Sequence, residues 1–181
     1  MSTNEEKTII QSLQDNSTRR QAFEWIVRQY NQQLYWQIRR MVFSHDDAND
    51  ILQNSFIKAW LNIEQFRGDS KLSTWLYRIT LNETLNFLQR QKEQTSLDSP
   101  EGSIANQLAS DPYFDGDETD RQLQEAISQL PDKQRAVFTL KYYKDMKYED
   151  MSQILDTSVG ALKASYHHAV KKICDFFNAI D

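Results

Sequence analysis

Residues 148–177 read YEDMSQILDTSVGALKASYHHAVKKICDFF, and the spacing of their apolar side chains decides the fold predicted for the chain. Met151, Ile154 and Leu155 recur on one face of a short helix that runs from about residue 148 to residue 155. The next three residues, 156–158, are types that favour turns and helix starts. The stretch therefore begins with a short amphipathic helix that ends in a turn.

A longer amphipathic helix follows this turn and opens at Ser158, whose hydroxyl is expected to cap the first free N–H groups. Its inward side carries apolar residues at helical spacing: Val159, Leu162, Tyr166, Ala169, Val170, Ile173 and Phe177. Its other side is polar and basic, with Lys163, His167, Lys171 and Lys172. A short helix, a turn and a longer basic helix predict a helix-turn-helix, which inserts its second helix into a DNA major groove.

Helical hairpins that bind nothing share this pattern, so periodicity alone leaves DNA binding open. Gly160 lies in the first turn of the second helix, where glycine costs about 1 kcal/mol relative to alanine. A residue without a side chain suits close approach of another backbone. That backbone would belong either to a neighbouring helix or to a DNA strand.

The composition favours helix, because the 181 residues include only four glycines and three prolines. The net charge of −5 is unevenly distributed. Residues 1–92 hold 12 Lys and Arg against 10 Asp and Glu, and residues 121–181 hold 9 against 8. Residues 93–120 hold 8 acidic residues and no basic residue, so the acidity belongs to one internal segment. The overall charge therefore does not exclude DNA binding.

The sequence contains no apolar run of the length that spans a membrane or forms a signal peptide. Its single cysteine, Cys174, cannot form an internal disulfide. The position of Cys174 on the inward side of the last helix predicts a small core residue. These observations predict a cytoplasmic protein.

Residues 1–92 are predicted to form a compact helical domain. A short leading helix is followed by three longer amphipathic helices, which are expected to start at Ser17, at Asp46 and Asp47, and at Ser73, the last ending near residue 92. All four tryptophans lie in this part of the chain. Trp60 is assigned to the inward face of its helix, so we expect a core rich in aromatic side chains.

Residues 93–120 lose this periodicity, are uniformly acidic, and contain two of the three prolines, which predicts a flexible linker. Such a segment would stretch to roughly 90–100 Å when extended and would span about 30 Å as a coil. Two helical turns of DNA measure roughly 70 Å. The predicted fold is therefore all-α, with two small helical domains, 1–92 and 121–181, on an acidic tether.

Two stretches resemble a known family. Residues 46–82, DDANDILQNSFIKAWLNIEQFRGDSKLSTWLYRITLN, resemble the second conserved region of extracytoplasmic-function sigma factors, the small promoter-recognition subunits of bacterial RNA polymerase. Residues 130–173, LPDKQRAVFTLKYYKDMKYEDMSQILDTSVGALKASYHHAVKKI, resemble their fourth region. The resemblance covers about residues 18–92 and 120–177, and the order of the two regions around an acidic tether makes it specific.

The resemblance implies three sets of contact residues. Docking on the largest subunit of the polymerase would use Asp47, Asp50, Ile51, Gln53, Asn54 and Phe56. Promoter melting and recognition of the minus-ten element would use Arg67, Asp69, Ser70, Lys71, Trp75, Arg78, Asn82 and Asn86. Reading of the minus-thirty-five element would use Ser158, Ala161, Lys163, Ala164, Ser165, His167, His168 and Lys171.

These residue types suit the implied roles. The charged loop around Arg67 offers donors and acceptors for an unstacked base, and Arg78, Asn82 and Asn86 form a polar stripe for a single-stranded backbone. Trp75 suits either stacking on a base or burial in the core. The recognition helix has few phosphate-neutralising cations, so we expect weak intrinsic affinity for duplex DNA.

The resemblance implies core RNA polymerase and promoter DNA as partners, an anti-sigma factor as a candidate third partner, and no small-molecule substrate. The alternative function is a stand-alone helix-turn-helix transcriptional regulator that binds an operator without polymerase. That alternative leaves the polar surfaces of the first domain without a role. Specific duplex binding by the protein alone would favour it.

An enzymatic function is not predicted. His167 and His168 are adjacent, so on a helix they point about 100° apart and cannot share one metal ion. The sequence has no glycine-rich phosphate loop, paired-cysteine site or nucleophile elbow. We therefore predict no catalytic residue, no metal site and no cofactor.

Overall fold

The computed structural model describes residues 3–95 and 118–180, and all regular structure within them is helical. This confirms the predicted all-α fold. The N-terminal half, residues 3–95, comprises α1 (Thr3–Gln14), α2 (Arg19–Val42), α3 (His45–Leu61), a 3₁₀ turn (Ile63–Gln65) and α4 (Leu72–Thr95). The C-terminal half, residues 118–180, comprises α5 (Glu118–Ser128), α6 (Asp132–Lys144), α7 (Tyr148–Leu155) and α8 (Val159–Ile180).

In the N-terminal half, α2, α3 and α4 pack against one another, and α1 lies against α2 and the 3₁₀ turn. The apolar face of the amphipathic helix α2 forms the centre of this core, because Ile26, Leu34 and Ile38 are fully buried. Leu76 and Leu81 of α4 close the core from the other side. Burial of each such side chain contributes about 1.5–3 kcal/mol relative to exposure, so this face fixes how α2 and α4 meet.

In the C-terminal half, α8 packs against α5, α6 and α7. The inward stripe predicted for α8 is confirmed, since Leu162, Ala169 and Ile173 are buried. The helix-turn-helix is also confirmed, with α7 at the predicted bounds. The predicted cap holds as well, because the Oγ of Ser158 accepts a hydrogen bond from the N–H of Ala161 at 3.3 Å.

Two predicted helix starts are wrong. Helix α2 begins at Arg19 with Thr18 in the N-cap position, and the hydroxyl of Ser17 instead donates to Asp15 Oδ1 at 2.8 Å. Ser73 lies inside α4, which begins one residue earlier. A hydroxyl can cap a helix only from the position before its first turn, so neither serine has the predicted role.

Helix α3 starts where the sequence predicted. Asp46 and Asp47 lie in its first turn, where their charges interact favourably with the positive end of the helix dipole. The capping residue is Ser44, whose Oγ accepts a hydrogen bond from the N–H of Asp47 at 3.3 Å.

The predicted flexible linker, residues 93–120, lies mostly outside the described residues. Its first three residues continue α4 to Thr95, past the predicted end near residue 92. Its last three residues open α5 at Glu118, ahead of the predicted start at residue 121.

Two side chains that the sequence placed in the core lie outside it. Trp60 is 40% exposed, because α3 turns its small and aliphatic residues toward the core, with Ala59 as the last of them. Cys174 is exposed as well. Successive residues on a helix point about 100° apart, so Cys174 faces away from the core that its neighbour Ile173 enters.

The two halves pack against each other through their helices. Helix α6 lies against α2 and α4, and α7 lies against α4. Leu140 of α6 with Met151 and Ile154 of α7 belongs to the same buried cluster as the N-terminal core. Phe43, at the end of α2, belongs to the cluster formed by α5, α6 and α8. The apolar core is therefore continuous across the halves.

A buried arginine connects the two halves. Arg135 of α6 is only 7% exposed, and its Nη1 donates to the carbonyl oxygen of Met41 in α2 at 2.8 Å. Its guanidinium also lies over the ring of Phe43, 5.3 Å from the centroid. Burial lowers the pKa of Arg135, and the carboxylate of Asp132 opposes that effect.

Further polar contacts join the halves around this arginine. In the interior, Gln37 Nε2 donates to Thr139 Oγ1 at 2.8 Å. Two ion pairs lie nearer the surface, Lys71 with Asp150 at 2.9 Å and Lys92 with Asp132 at 2.6 Å. We call these contacts, with those of Arg135, the cross-half contacts.

Candidate nucleic-acid and polymerase interfaces

Helix α8 presents an open polar face. Ser165 is half-buried, and the other residues that the resemblance assigns to DNA reading are all exposed: Ser158, Ala161, Lys163, Ala164, His167, His168 and Lys171. Gly160 lies on the same open side, with no neighbouring atom within 4 Å of the place where a Cβ would stand. Its missing side chain therefore leaves room toward solvent, and no neighbouring helix occupies that room.

The turn before α8 is held by backbone geometry. Asp156 adopts a left-handed conformation, φ 49°, and its N–H donates to the carbonyl oxygen of Ser152. Met151 of α7 and Leu162 of α8 are buried on either side of the turn. The packing of these two side chains sets the angle at which α8 projects.

A cluster of cations and one aromatic ring lies beside the exposed face of α8. Lys141 Nζ and Lys163 Nζ lie 5.4 Å and 5.7 Å from the centroid of the Tyr148 ring. Lys141 also donates to Asp145 Oδ1 at 2.6 Å, a hydrogen bond that raises the pKa of Lys141. The raised pKa keeps Lys141 charged at neutral pH, which suits a surface that contacts phosphates.

The loop between the 3₁₀ turn and α4, residues 66–71, is anchored at its first residue. Phe66 is buried, and its ring lies 4.9 Å from that of the half-buried Trp75. Trp75 therefore packs against the core through the ring of Phe66 and leaves part of its own ring exposed to solvent. The charged members of the loop, Arg67, Asp69 and Lys71, are exposed, and Ser70 is half-buried. We call residues 66–71 the minus-ten loop, after the role that the resemblance implies.

The polar stripe of α4 is solvent-exposed along its length, since Arg78, Asn82 and Asn86 are all exposed. The opposite face of α4 is buried through Tyr77 and Leu81. Burial raises the pKa of Tyr77 to about 12, so its hydroxyl stays neutral in the core. The structure therefore brings the stripe and the minus-ten loop together on consecutive segments of the N-terminal half.

The residues that the resemblance assigns to polymerase docking differ in exposure. Asp50, Gln53 and Asn54 are exposed on α3, and Asp47 and Phe56 are half-buried. Ile51 is a correction, because it is 4% exposed and belongs to the N-terminal core. Ile51 therefore supports α3 mainly from inside and exposes only a small part of its side chain, in the cavity between α3 and α4.

An apolar groove that was not predicted from the sequence lies between α2 and α3. Its main apolar side chains come from the two facing helices: Phe23, Leu52, Phe56, Ile57, Trp60 and Leu61. Ile57 is 50% exposed and Leu61 is 72% exposed, four residues apart on α3. These two apolar residues fall outside the inward stripe of α3, and that pattern is the sequence signal that indicates an exposed apolar surface.

The described residues contain no candidate metal centre. No three His, Cys, Asp or Glu side chains within residues 3–95 and 118–180 are grouped as metal ligands would be. Across the same ranges, no helix combines the length and the apolar character needed to cross a bilayer.

Two family models match the chain over most of its described length. The model for sigma-70 region 2 matches residues 26–94, and the model for sigma-70 region 4 matches residues 120–173. The fold and these matches define the class of protein. It is a sigma subunit of the sigma-70 type, with the helix-turn-helix in region 4.

Individual relatives narrow the class further. The chain is 35% identical over 156 residues to the ECF RNA polymerase sigma factor SigW of Bacillus subtilis, covering 81% of this chain and 83% of that protein. It is 30% identical over 164 residues to the ECF RNA polymerase sigma-E factor of Haemophilus influenzae, covering 85% and 86%. The chain therefore belongs to the extracytoplasmic-function sigma factors. It binds core RNA polymerase and promoter DNA and directs promoter-specific transcription.

A solved structure shares the fold. The sigma factor RpoE of Bartonella quintana, in complex with the anti-sigma factor NepR, matches with a TM-score of 0.71 at 22% identity. The match covers 86% of this chain and 96% of that chain.

Proposed function

We propose that three exposed surfaces divide the work of promoter recognition. The groove between α2 and α3, with the polar face of α3, docks on core polymerase. The minus-ten loop and the stripe of α4 capture the melted strand, and α8 reads the upstream duplex. The observation that supports this division is that all three surfaces are open in one chain of this family, while the cross-half contacts use other residues, with Lys71 as the exception.

Docking through the groove is proposed because it concentrates the exposed apolar area of the N-terminal half. Ile57→Asp places a charge in the groove and is expected to weaken binding to core polymerase at least about 30-fold, as for an interface hot spot. Ile180→Asp is the matched control, because Ile180 is 49% exposed at the far end of α8, against 50% for Ile57. Equal affinity of both variants for core polymerase, measured by fluorescence titration, would contradict the docking assignment.

Upstream reading by α8 is proposed from its open basic face. Lys163→Ala in the holoenzyme is expected to weaken binding to upstream duplex DNA and to lower the salt dependence by about one phosphate contact. The control is Lys133→Ala, which removes an equal charge from an exposed position on α6. A salt dependence that stays the same in the Lys163 variant would place the contact elsewhere.

Strand capture is proposed for the stripe of α4. Asn82→Ala is expected to reduce permanganate reactivity of the minus-ten region on a duplex promoter. Gln94→Ala, an exposed amide near the end of the same helix, serves as control. A defect that persists on a pre-opened template assigns Asn82 to direct capture of the strand. A normal signal on both templates would remove Asn82 from the proposal.

Promoter binding requires the two halves to separate. A folded chain of 181 residues has a radius of gyration of about 16 Å, hence a diameter of about 40 Å. Promoter elements two helical turns apart lie roughly 70 Å from each other. We therefore expect energy transfer between dyes on Cys174 and on Gln89→Cys to fall when the holoenzyme binds promoter DNA. Transfer that stays unchanged would contradict separation.

Two further points follow from this proposal. We infer that the chain supplies recognition alone, that bond formation belongs to the polymerase, and that it acts in the cytoplasm where that enzyme works. We also propose that an anti-sigma factor can occupy the groove between α2 and α3, because neighbouring exposed apolar side chains, such as Ile57 and Leu61, mark surfaces that bind other proteins. The Bartonella relative, solved with such a factor, is consistent with this.

A further inference from the structure

Helix α1 precedes the region that matches the sigma-70 models, which begins at residue 26. It is amphipathic, with Leu13 buried in the N-terminal core and Ile9 and Ile10 packed against that core. Two of its side chains, those of Glu6 and Ile10, lie against the far end and the middle of the minus-ten loop. Arg19, the first residue of α2, ties the C-terminal end of α1 to the turn before the loop.

The first contact fixes the end of the loop where α4 begins. The carboxylate Oε1 of Glu6 accepts a hydrogen bond from the backbone N–H of Leu72, 66 residues away in sequence. The first N–H groups of a helix have no partner within the helix, and the helix dipole favours a negative charge at that end. Glu6 therefore supplies from α1 the cap that was predicted for Ser73.

The second contact lies in the middle of the loop. Gly68 has φ +79°, a conformation that side chains rarely adopt. A Cβ at this position would stand 3.5 Å from Cδ1 and 3.8 Å from Cγ2 of Ile10. The side chain of Ile10 therefore lies on the side of Gly68 from which a Cβ would project, beside the middle of the loop.

The third contact holds the turn before the loop. Arg19 Nη1 lies 2.6 Å from the carboxylate of Glu64 in the 3₁₀ turn, and Arg19 Nε donates to the carbonyl oxygen of Leu13 at 2.9 Å. The arginine side chain is mostly buried. It thus ties the C-terminal end of α1 to the segment that leads into the loop.

We propose that α1 is the positioning element of the minus-ten loop and that Glu6 is its principal positioning residue. The contacts of α1 hold the backbone so that the side chains of Arg67 and Asp69 project toward a captured strand. This inference rests on the proposed function of the loop. In the closed protein Asp150 also holds the loop, through Lys71. Once the halves separate, α1 remains as its support.

The test uses the full chain in the holoenzyme and two DNA probes from a promoter that the wild-type holoenzyme opens. One probe is a fluorescent single strand carrying the minus-ten element, and the other is the upstream duplex. Glu6→Ala is expected to weaken single-strand binding about tenfold, the effect of losing a charge-assisted hydrogen bond. Duplex binding is expected to stay within about twofold of wild type.

Two matched variants separate positioning from general stability. Glu6→Gln keeps an oxygen that can accept the N–H of Leu72, so it is expected to restore single-strand binding to within about threefold. Gln11→Ala alters an exposed side chain on α1 and is expected to change nothing. Hydrogen exchange in residues 66–75 of the holoenzyme is expected to speed up in Glu6→Ala alone.

Failure of this inference is distinguishable from failure of the proposed function. If Glu6→Ala binds the single strand normally while Asn82→Ala does not, α1 has no positioning role and the proposed site stands. If neither variant loses the single strand, the assignment of the loop and stripe is wrong. If Glu6→Ala weakens both probes equally, or if Glu6→Gln behaves like Glu6→Ala, the positioning role is overturned.

Discussion

The two halves of the molecule differ in how they build their cores. The N-terminal half buries long apolar stripes from α2 and α4 against each other, with Ile26, Leu34 and Leu76 at the centre. The C-terminal half divides its apolar residues between two clusters. Leu140 and Met151 pack into the cluster of the N-terminal half. The C-terminal half therefore takes part of its stability from its partner half, and the N-terminal half depends less on the contact.

This difference bears on the division of roles that we propose for the two halves. We propose that the N-terminal half holds a melted strand, which requires a loop fixed in one conformation. In the same proposal, the C-terminal half reads duplex DNA through α8, and this role requires only that the exposed face of α8 projects at the correct angle. Because part of its apolar core lies against the N-terminal half, the C-terminal half can separate when polymerase binds, provided that contacts with the polymerase replace those that are lost.

Among the contacts between the halves, Arg135 is expected to contribute most to the free energy of unfolding, so Arg135→Ala should have the largest effect. Its guanidinium donates to the carbonyl oxygens of Ile127, Ser128 and Leu130 in its own half and to that of Met41 in the other. Loss of a buried charged donor with several acceptors is expected to lower the free energy of unfolding by about 3 kcal/mol. Urea denaturation followed by circular dichroism measures this.

The control for Arg135→Ala is Lys133→Ala, on the exposed side of the same helix, which is expected to stay within about 0.5 kcal/mol of wild type. Hydrogen exchange of Arg135→Ala compares how much amide protection each half loses. Protection in α5–α8 is expected to fall more than protection in α2–α4. Equal loss in both halves would show that the molecule unfolds as one unit and would contradict the difference argued above.

The buried hydrogen bond between the Gln37 amide and the Thr139 hydroxyl is expected to make the next largest contribution to stability. Gln37 Nε2 and Thr139 Oγ1 are 2.8 Å apart, and both side chains are buried. A double-mutant cycle of Gln37→Leu and Thr139→Val is expected to show a coupling energy of about 1 kcal/mol. Gln37→Leu combined with Ser158→Ala, at the distant cap of α8, is expected to be additive. Zero coupling in the first cycle would mean that this hydrogen bond does not help to hold the halves together.

Much of the architecture could be predicted from sequence, and the limits have physical causes. Helical periodicity identifies which face of a helix is buried, so the bounds of α7 and the inward stripe of α8 were predicted correctly. It does not identify the partner that buries that face, so the packing of Leu140 and Met151 on the other half could not be predicted. The periodicity of α3 wrongly placed Trp60 on the buried face, because the buried face of this helix is narrower than the sequence pattern indicated and leaves Trp60 partly exposed.

Long-range capping explains a second limit. Sequence rules place a cap beside its helix, and they worked for Ser158. The cap of α4 comes from Glu6, and no local rule connects residues 66 positions apart. The residues of α8 that the resemblance assigns to DNA reading lie on an open face, apart from the half-buried Ser165, since exposure follows from the same periodicity. Ile51 was assigned to docking by resemblance, although its own periodicity indicated burial.

The exposed ion pair between Lys71 and Asp150 is expected to contribute less to the stability of the contact between the halves. Lys71 and Asp150 are 58% and 24% exposed, so Lys71→Ala is expected to reduce the stability of the closed form by about 0.5 kcal/mol at low salt and by less at high salt. Energy transfer between dyes on Cys174 and Gln89→Cys reports the closed fraction. Lys58→Ala, whose partner Glu83 lies in its own half, should leave that fraction unchanged. The same change in both variants would contradict a specific role for Lys71.

The smallest expected effect concerns a feature that belongs to the C-terminal half alone. The hydrogen bond from Lys141 to Asp145, and then the charge of that lysine, hold the pKa of Asp145 below its usual value of 3.8. A carboxyl whose pKa is lower in the folded state stabilises that state above its unfolded pKa. The contribution is lost as the pH falls through the lower, folded pKa.

NMR titration of the Asp145 carboxyl tests this, both in the free protein and in the holoenzyme. Lys141→Met is expected to raise the pKa of Asp145 toward 3.8, and Asp145→Asn is expected to remove this part of the acid dependence of stability. Asparagine tolerates the left-handed conformation at this position, φ 43°, so the backbone should not change. Because both residues lie in one half, separation of the halves should leave the pKa of Asp145 unaltered. A pKa of Asp145 that shifts when polymerase binds would show that this turn also depends on the N-terminal half. The turn could then no longer be counted among the parts of the C-terminal half that are independent of the other half.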